Sequence, residues 1–422
     1  MNAPYLAALS PPSAPDWLAD RRNAALARFL ELGLPTVREE KWKYTSLAHL
    51  ETTAAYAPPD APSAAAEIRG YPGWTLTFAD GLLAARQTHP PPRPLAGNLA
   101  AMAADKAHLR RYLGRAAGNS ALAWLNTAMW RDGALIHIPA GERVAPHIFL
   151  SFGAYRADAV LHPRNLVVLE AGAEAVLVEH YHGDLGAPYW QNPLTEIILL
   201  EGAQLTHLKL TEEGSAATHT GITAVLQERD SRYHALSVSL GGRLARHDIS
   251  VRLQGGGANA RLDGLFVADG RSHVDHHLRV EHLARHATSR ATYRGIAAGR
   301  GRGVFDGHIV VTPAGQHADA ALSSRNLLLS RHAEIDAKPQ LEIYADEVQC
   351  GHGVTVGRLD EAQLFYLRSR GIDRKTASAL LLRAFADEAL GLLHETGLHA
   401  WLEARLLHSL PAPADATQGG AS

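Results

Sequence analysis

The sequence predicts a mainly β chain, with a parallel β-helix over residues 131–357 between a mostly helical N-terminal region (1–130) and a C-terminal helical domain (358–410). Three observations carry this. From residue 133, short β-branched or alternating runs such as "HPRNLVVLEAGAEAVLVEH", "TEIILLEGAQLTHLKL" and "RHDISVRLQGGGANARLDGLFVADG" follow one another for about 200 residues, with no helix-length pattern between them. The segments "LEAG-AEAVLV" and "LEG-AQLTHL" repeat, with Gly172 and Gly202 thirty residues apart. Turn-like residues then return at Asp230, Gly257, Ala287, Gly315 and Ala333, at intervals of 18 to 30. Internal similarity on this scale marks stacked repeats. Finally, few Asn-Gly or Asp-Gly pairs join two runs (Asp263-Gly264 and Asp306-Gly307 are such places), which disfavours a sandwich of hairpins.

The other elements follow in order. Ser13 is placed to cap a first helix at "SAPDW", with Asp16 three residues on, and Leu18, Ala25, Leu26, Phe29 and Leu30 form its apolar face. Gly33-Leu34-Pro35 ends it. "VREEKWKYTSL" (37–47) is a charged stretch interrupted by Trp42 and Tyr44. "YAPPDAPSAAAEIRGYPG" and "HPPPRP" (89–94) read as linkers, and short helical patterns run through "SALAWLNTAMW" (120–130). After 357, Asp360 caps a helix that ends at Gly371. Asp373 caps a second helix with Ala377, Leu380, Leu381, Ala384, Phe385 and Glu388 at helical spacing, and "LHAWLEARLLHSL" makes a third. The tail, 411–422, reads as disordered.

Composition narrows the function classes. Apolar residues are 46% and charged residues 20% of 422, which suffices for a sizeable core. A net charge of −2 and 6% aromatics argue against a nucleic-acid surface. No apolar run approaches the length needed to span a bilayer, and "MNAPYLAALSPPSAPDW" lacks the basic and apolar regions of a signal peptide. A cytoplasmic protein that binds neither membrane nor nucleic acid is expected.

Candidate chemistry centres on three places. "GRGRGVFDG" (299–307) offers arginines and glycines to an anion, but no helix pattern follows it, so a strand-joining turn is the better reading. "RSHVDHHLRVEHLARH" (271–286) would put His273, Asp275 and His277 on one face of a strand, as nitrogen and oxygen ligands suited to zinc or iron. With Asp263 and Asp269 this group supports an alternative reading: a stand-alone, metal-dependent β-helix enzyme, in which a carboxylate set could also cleave polysaccharide. Histidines are spread over the whole β region (His180, His182, His207, His219, His234, His247, His308, His317, His332), where a solvated outer face needs polar residues anyway. Third is "ADEVQCGHGVTVG" (345–357), which holds Cys350, the single cysteine, and His352. If the stretch is extended, both point the same way, and an imidazolium there would lower the thiol pKa. One cysteine cannot by itself build a structural zinc or iron–sulfur site.

"KPQLEIYADEVQCGHGVTVGRLDEAQLFYLRSRGI" (338–372) resembles the SufD-type members of the SufB/SufD family of the SUF iron–sulfur cluster assembly machinery. "SSRNLLLSRHAEIDAKP" (323–339) and "REEKWKYTSL" (38–47) fit the same family. The resemblance implies a right-handed parallel β-helix and a scaffold without catalytic activity of its own. It implies pairing with SufB through the β-helices, and binding of the ATPase SufC through the C-terminal helices, with Phe365, Tyr366, Arg368 and Arg370 as contacts. It implies that Cys350 and His352 match the family's C-x-H at the SufB–SufD interface, where iron or a nascent cluster is held transiently and nothing is bound tightly by the isolated chain. Gly351 stands where the family commonly has Ser. A homodimer of the isolated chain through an apolar β-helix surface is compatible with the same reading.

Overall fold

Strand-favouring runs that each bury one face need a neighbour on which to close, and here each closes on the next copy of itself. The computed structural model describes residues 6, 9–52, 57–64, 73–86, 95–102, 106–183, 186–393 and 396–411. Its centre is a parallel β-solenoid of about eight turns. One wall is a ten-stranded sheet that runs from Leu82–Arg86 and Gly73–Ala79 through His147–Ala154 and Glu174–Gly183 to Asp319–Leu328 and Gln349–Gly357. The other is an eleven-stranded sheet that ends at Arg302–Val311 and Glu334–Ile343. Within each sheet the later coils pair without register slips, Lys209 opposite Ser237 and His276 opposite Phe305, for example.

The solenoid turns at a column of left-handed residues. Gly172, Gly202, Asp230, Gly257, His286 and His317 all have φ between 55° and 73°, at spacings of 27 to 31 residues. Each donates its N–H to a carbonyl of the following coil, as Gly202 does to Arg229 and His286 to Gln316. The repeat read from the sequence follows this column, except that His286 and His317 hold the places expected near Ala287 and Gly315, and Ala333 belongs to another turn, the one that enters Glu334–Ile343.

Inside, aromatic rings stack across coils: Phe78 on Phe152 and Phe152 on Tyr181, each with centroids 4.8 Å apart. Outside, helices cover the early coils. Helix α1 (Asp16–Leu32) and helix α2 (Ala121–Met129) contribute Trp17, Leu18, Phe29 and Leu125 to the outer face of the eleven-stranded sheet, against Leu166, Val168 and Ile222. Helices α4 (Arg374–Asp387) and α5 (His399–Ser409) lay Leu382, Phe385, Leu402 and Leu406 on Leu208, Leu236 and Leu265 of the ten-stranded sheet. Helix α3 (Glu361–Ser369), capped by Asp360, precedes them. Among the described residues no helix is long and apolar enough to cross a membrane.

Four expectations are corrected. Helix α1 starts at Asp16 behind Pro15, and Ser13 caps nothing, because proline pre-sets the entry and Asp16 itself occupies the first turn. The β-helix does not begin at 131, since within the mostly helical region before it the strands Gly73–Ala79, Leu82–Arg86 and Leu95–Asn98 already belong to the two sheets. In α4 the packed face is Ala377, Ser378, Leu382, Phe385 and Ala386, which leaves Leu380 and Ala384 exposed. Many of the histidines do not line a solvated face: His180, His207, His219 and His247 are buried, as are His276 and His282, whereas His182, His234, His308 and His317 are half-buried and His332 is exposed. The spacer at 89–94 and the tail from 412 onward lie outside the described residues.

Candidate functional site

The last coil is where the solenoid stops without a cover. Among the described residues Glu334–Ile343 pairs only with Arg302–Val311, and Gln349–Gly357 only with Asp319–Leu328, so both end their sheets. Backbone alternation shows what faces out. The N–H groups of Glu334 and Tyr344 bond back to Gly301 and Val311, so those of Ile335, Ala337, Leu341 and Ile343 point to the free edge. Pro339 removes one donor from that edge, the position at which a strand tolerates proline. Leu341, Ile335 and Val348 are only partly buried against the core end, and Ile343, Tyr344 and Val356 are 41%, 62% and 44% exposed. An apolar layer with unpaired strand edges is a template for another chain.

Cys350 and His352 sit on this layer. They stand opposite Ala320 and Leu322, both core residues, so their side chains share the inward face about 7 Å apart along the strand. Cys350 is half-buried and packs against the core end, whereas His352 is exposed. Gly351 and Gly353 between and beside them have open space around their Cα atoms. The expected lowering of the thiol pKa does not occur. Burial pushes the Cys350 thiol up, with the Ala320 N–H opposing and Asp319 adding to the rise, and His352 takes no part. The thiol therefore stays protonated at neutral pH and becomes a ligand only by giving its proton up to metal binding.

Helix α3 projects from the solenoid. Only its Leu364 is buried. Phe365 is 71% and Tyr366 57% exposed, and Arg368 and Arg370 are exposed beside them. The Arg370 guanidinium lies 5.2 Å over the Tyr366 ring and donates to its hydroxyl at 3.2 Å. All four residues are exposed, with the aromatic-plus-arginine make-up found at interfaces.

The alternative metal group is not assembled. Asp263 lies on the outer face of the ten-stranded sheet, paired with Arg261, and Asp275 lies on the outer face of the other sheet. Asp269 sits in a turn, where its carboxylate accepts the N–H of Gly270. His273, Asp275 and His277 do share one face, but Asp275 is already engaged by Arg246 (2.7 Å), Thr45 (2.5 Å) and His277 (2.9 Å). Among the described residues no three His, Cys, Asp or Glu groups have a metal-holding arrangement.

Sequence reasoning missed a polar group inside the bore. Lys209 is buried, with its ammonium 5.0 Å from the Tyr181 ring, beside Glu179 on the neighbouring coil. His219 pairs with Glu213 at 3.0 Å, and His207 meets the Tyr233 hydroxyl at 2.8 Å. Burial lowers Lys209 to about 8 and raises Glu213 to about 7. The signal was the strand parity: His207 and Lys209 alternate in phase with Leu205, a core position.

The chain is similar to known proteins over most of its length. Residues 152–385 match the family model described as SUF system FeS cluster assembly, SufBD core domain. An iron–sulfur cluster assembly SufBD family protein of Synechocystis sp. is 32% identical over 88% of this chain and 87% of its own. The iron–sulfur cluster assembly protein SufD of Escherichia coli is 30% identical over 92% of each chain. A chloroplastic protein of Arabidopsis thaliana, ABCI7, is 34% identical over 61% of this chain and 56% of its own.

Proposed function

From the premise that this chain belongs to the SufBD family, whose members act in iron–sulfur cluster assembly, we propose that it is the SufD-type scaffold subunit of a SUF complex. The observation that carries the reading is the open last coil, with Cys350 and His352 on the inward face of an apolar layer bounded by two free strand edges. In this reading a SufB-type partner pairs on Glu334–Ile343 and Gln349–Gly357 and closes the bore. Cys350 and His352 then supply a thiolate and an imidazole to a site whose other ligands come from the partner. Two ligands cannot hold a cluster permanently, which suits a cluster that must be passed on. The surface of Phe365, Tyr366, Arg368 and Arg370 takes a SufC-type ATPase, ATP turnover belongs to that partner, and the chain acts in the cytoplasm. Without a partner, two copies of the chain pair through the same open end.

The test is co-purification with SufB- and SufC-type subunits, followed by iron and sulfide analysis. The complex with the double variant Cys350→Ser/His352→Ala is expected to assemble normally, since neither side chain fills the sealed core, and to carry several-fold less iron and sulfide than the unsubstituted complex. Equal loading would reduce the pair to bystanders. Loss of assembly would make them packing residues instead of ligands.

A further inference from the structure

The arginines of the turn "GRGRG" belong to a column. His273, Arg302 and Glu334 are in register across three successive coils, so Arg271, Arg300 and His332, each two residues earlier, occupy equivalent turn positions one rung apart, about 4.8 Å. Hydrogen bonds hold these turns on one another: the backbone Arg300 N–H donates to Gly270 O at 2.8 Å and Arg302 N–H to Ser272 O at 2.9 Å, and the Ser330 side-chain hydroxyl donates to Gly299 O at 2.6 Å. Gly299, with φ of 60°, has room for no more than a hydrogen there, because a Cβ would lie 3.0 Å from Gly270 N. Arg331 adjoins His332 on the last of the three turns.

Arg271, Arg300 and Arg331 are all exposed, and among the described residues none forms an ion pair. Their neighbour Arg302 shows the contrast, since it is held by Asp336 and Glu334 and lies over Tyr44. In a chain of net charge −2, three uncompensated guanidinium groups on one corner are not a by-product of a basic composition. Like charges one rung apart repel, and that cost is relieved when an opposite charge arrives.

We propose that this arginine column is a docking surface for an acidic segment of the protein that pairs on the open last coil. The proposal rests on the pairing argued above. The column leads directly into Glu334–Ile343, one of the two free edges, so a chain added to that edge continues past the corner. The Tyr44 ring beside Arg302 already carries that guanidinium, so it is not a free stacking platform for a nucleic-acid strand. Long-range attraction of this kind acts on association rate more than on final affinity.

The experiment compares the unsubstituted chain with Arg271→Glu/Arg300→Glu/Arg331→Glu. Association kinetics with the SufB-type partner are measured from low to high salt, with a labelled single-stranded oligonucleotide as a second probe. The variant is expected to associate about tenfold more slowly at low salt, with a flattened salt dependence, and to match the unsubstituted chain at high salt. Equal salt dependence in the two chains overturns the column's role while leaving the pairing intact. No association of the unsubstituted chain overturns both. Oligonucleotide binding that only the substitutions abolish, with partner kinetics unchanged, overturns it in favour of a polyanion site.

Discussion

An Asp275→Ala chain is expected to lose about 3–5 kcal/mol of stability and to release the segment around Trp42 from the solenoid, because removing one partner of a buried ion pair strands the other. The Asp275 carboxylate is fully buried. Burial alone would raise its pKa, but the charge of Arg246 and then His277 hold it well below the usual carboxylate range. Arg246 is itself only 2% exposed, stacks 3.7 Å over Trp42 and donates to the carbonyl of Lys41 at 2.9 Å. Without Asp275 the guanidinium keeps Asp248 and the Lys41 carbonyl but loses its fully buried counter-charge, and the Thr45 hydroxyl keeps only its contact with His273 among the described residues. The effect reaches the free edge, because Glu40, just before this clamp, pairs with Lys338 in the last strand of its sheet. Asp275→Asn keeps the shape and part of the hydrogen bonding, so it should cost less. Thermal unfolding measures the loss, and amide exchange at Trp42 and Thr45 shows where the structure opens. A change below about 1 kcal/mol with unaltered exchange would mean that the segment is held by packing alone.

The solenoid was legible because its two signals are local. Side-chain alternation reports a strand, and Gly172, Gly202, Asp230 and Gly257 report the corner, since a left-handed residue is most often Gly, Asn or Asp. His286 and His317 continue the same corner; histidine is enriched at positive φ, but in a chain with 24 histidines that enrichment does not single out these two. Which strand face points inward is a longer-range matter. A shift of one residue exchanges bore and surface, so the histidines of 207, 219 and 247 were assigned to solvent, and Asp263 was grouped with Asp275 across two opposite sheets. For Cys350 and His352, spacing alone gave the shared face. The direction of the thiol's shift was not readable, because it depends on how much core end lies beneath it and not on the adjacent imidazole. The arginine column was visible as "GRGRG", but only the register of three coils shows that Arg271 and Arg300 stack.

Acid should open this fold well above the range in which carboxylates titrate, and the buried histidines are the reason. Burial lowers His162 and His182 to about 3, and His276 and His282 to about 4. In the unfolded chain each takes up a proton near pH 6.5. Between that value and the folded pKa the unfolded state binds more protons, so stability falls as pH falls, starting just below 6.5 and continuing to about 4. At pH 5 each such group costs up to about 2 kcal/mol, or about 8 kcal/mol for the four. Glu213 works the other way. Burial raises it to about 7, so the folded state holds its proton more tightly and gains about 2 kcal/mol between pH 7 and 5. The remaining loss, of order 6 kcal/mol, is comparable with the whole stability of many domains. Thermal melts from pH 7.5 to 4.5 should therefore show a plateau above pH 6.5 and a steep decline below it. Among the described residues His276 makes one hydrogen bond, at 2.8 Å to the Ser239 hydroxyl, and His276→Gln should keep that partner while flattening the decline by about one proton. A melting temperature that holds steady from pH 7 to 5 would mean that these rings reach water in solution and are not held neutral by burial.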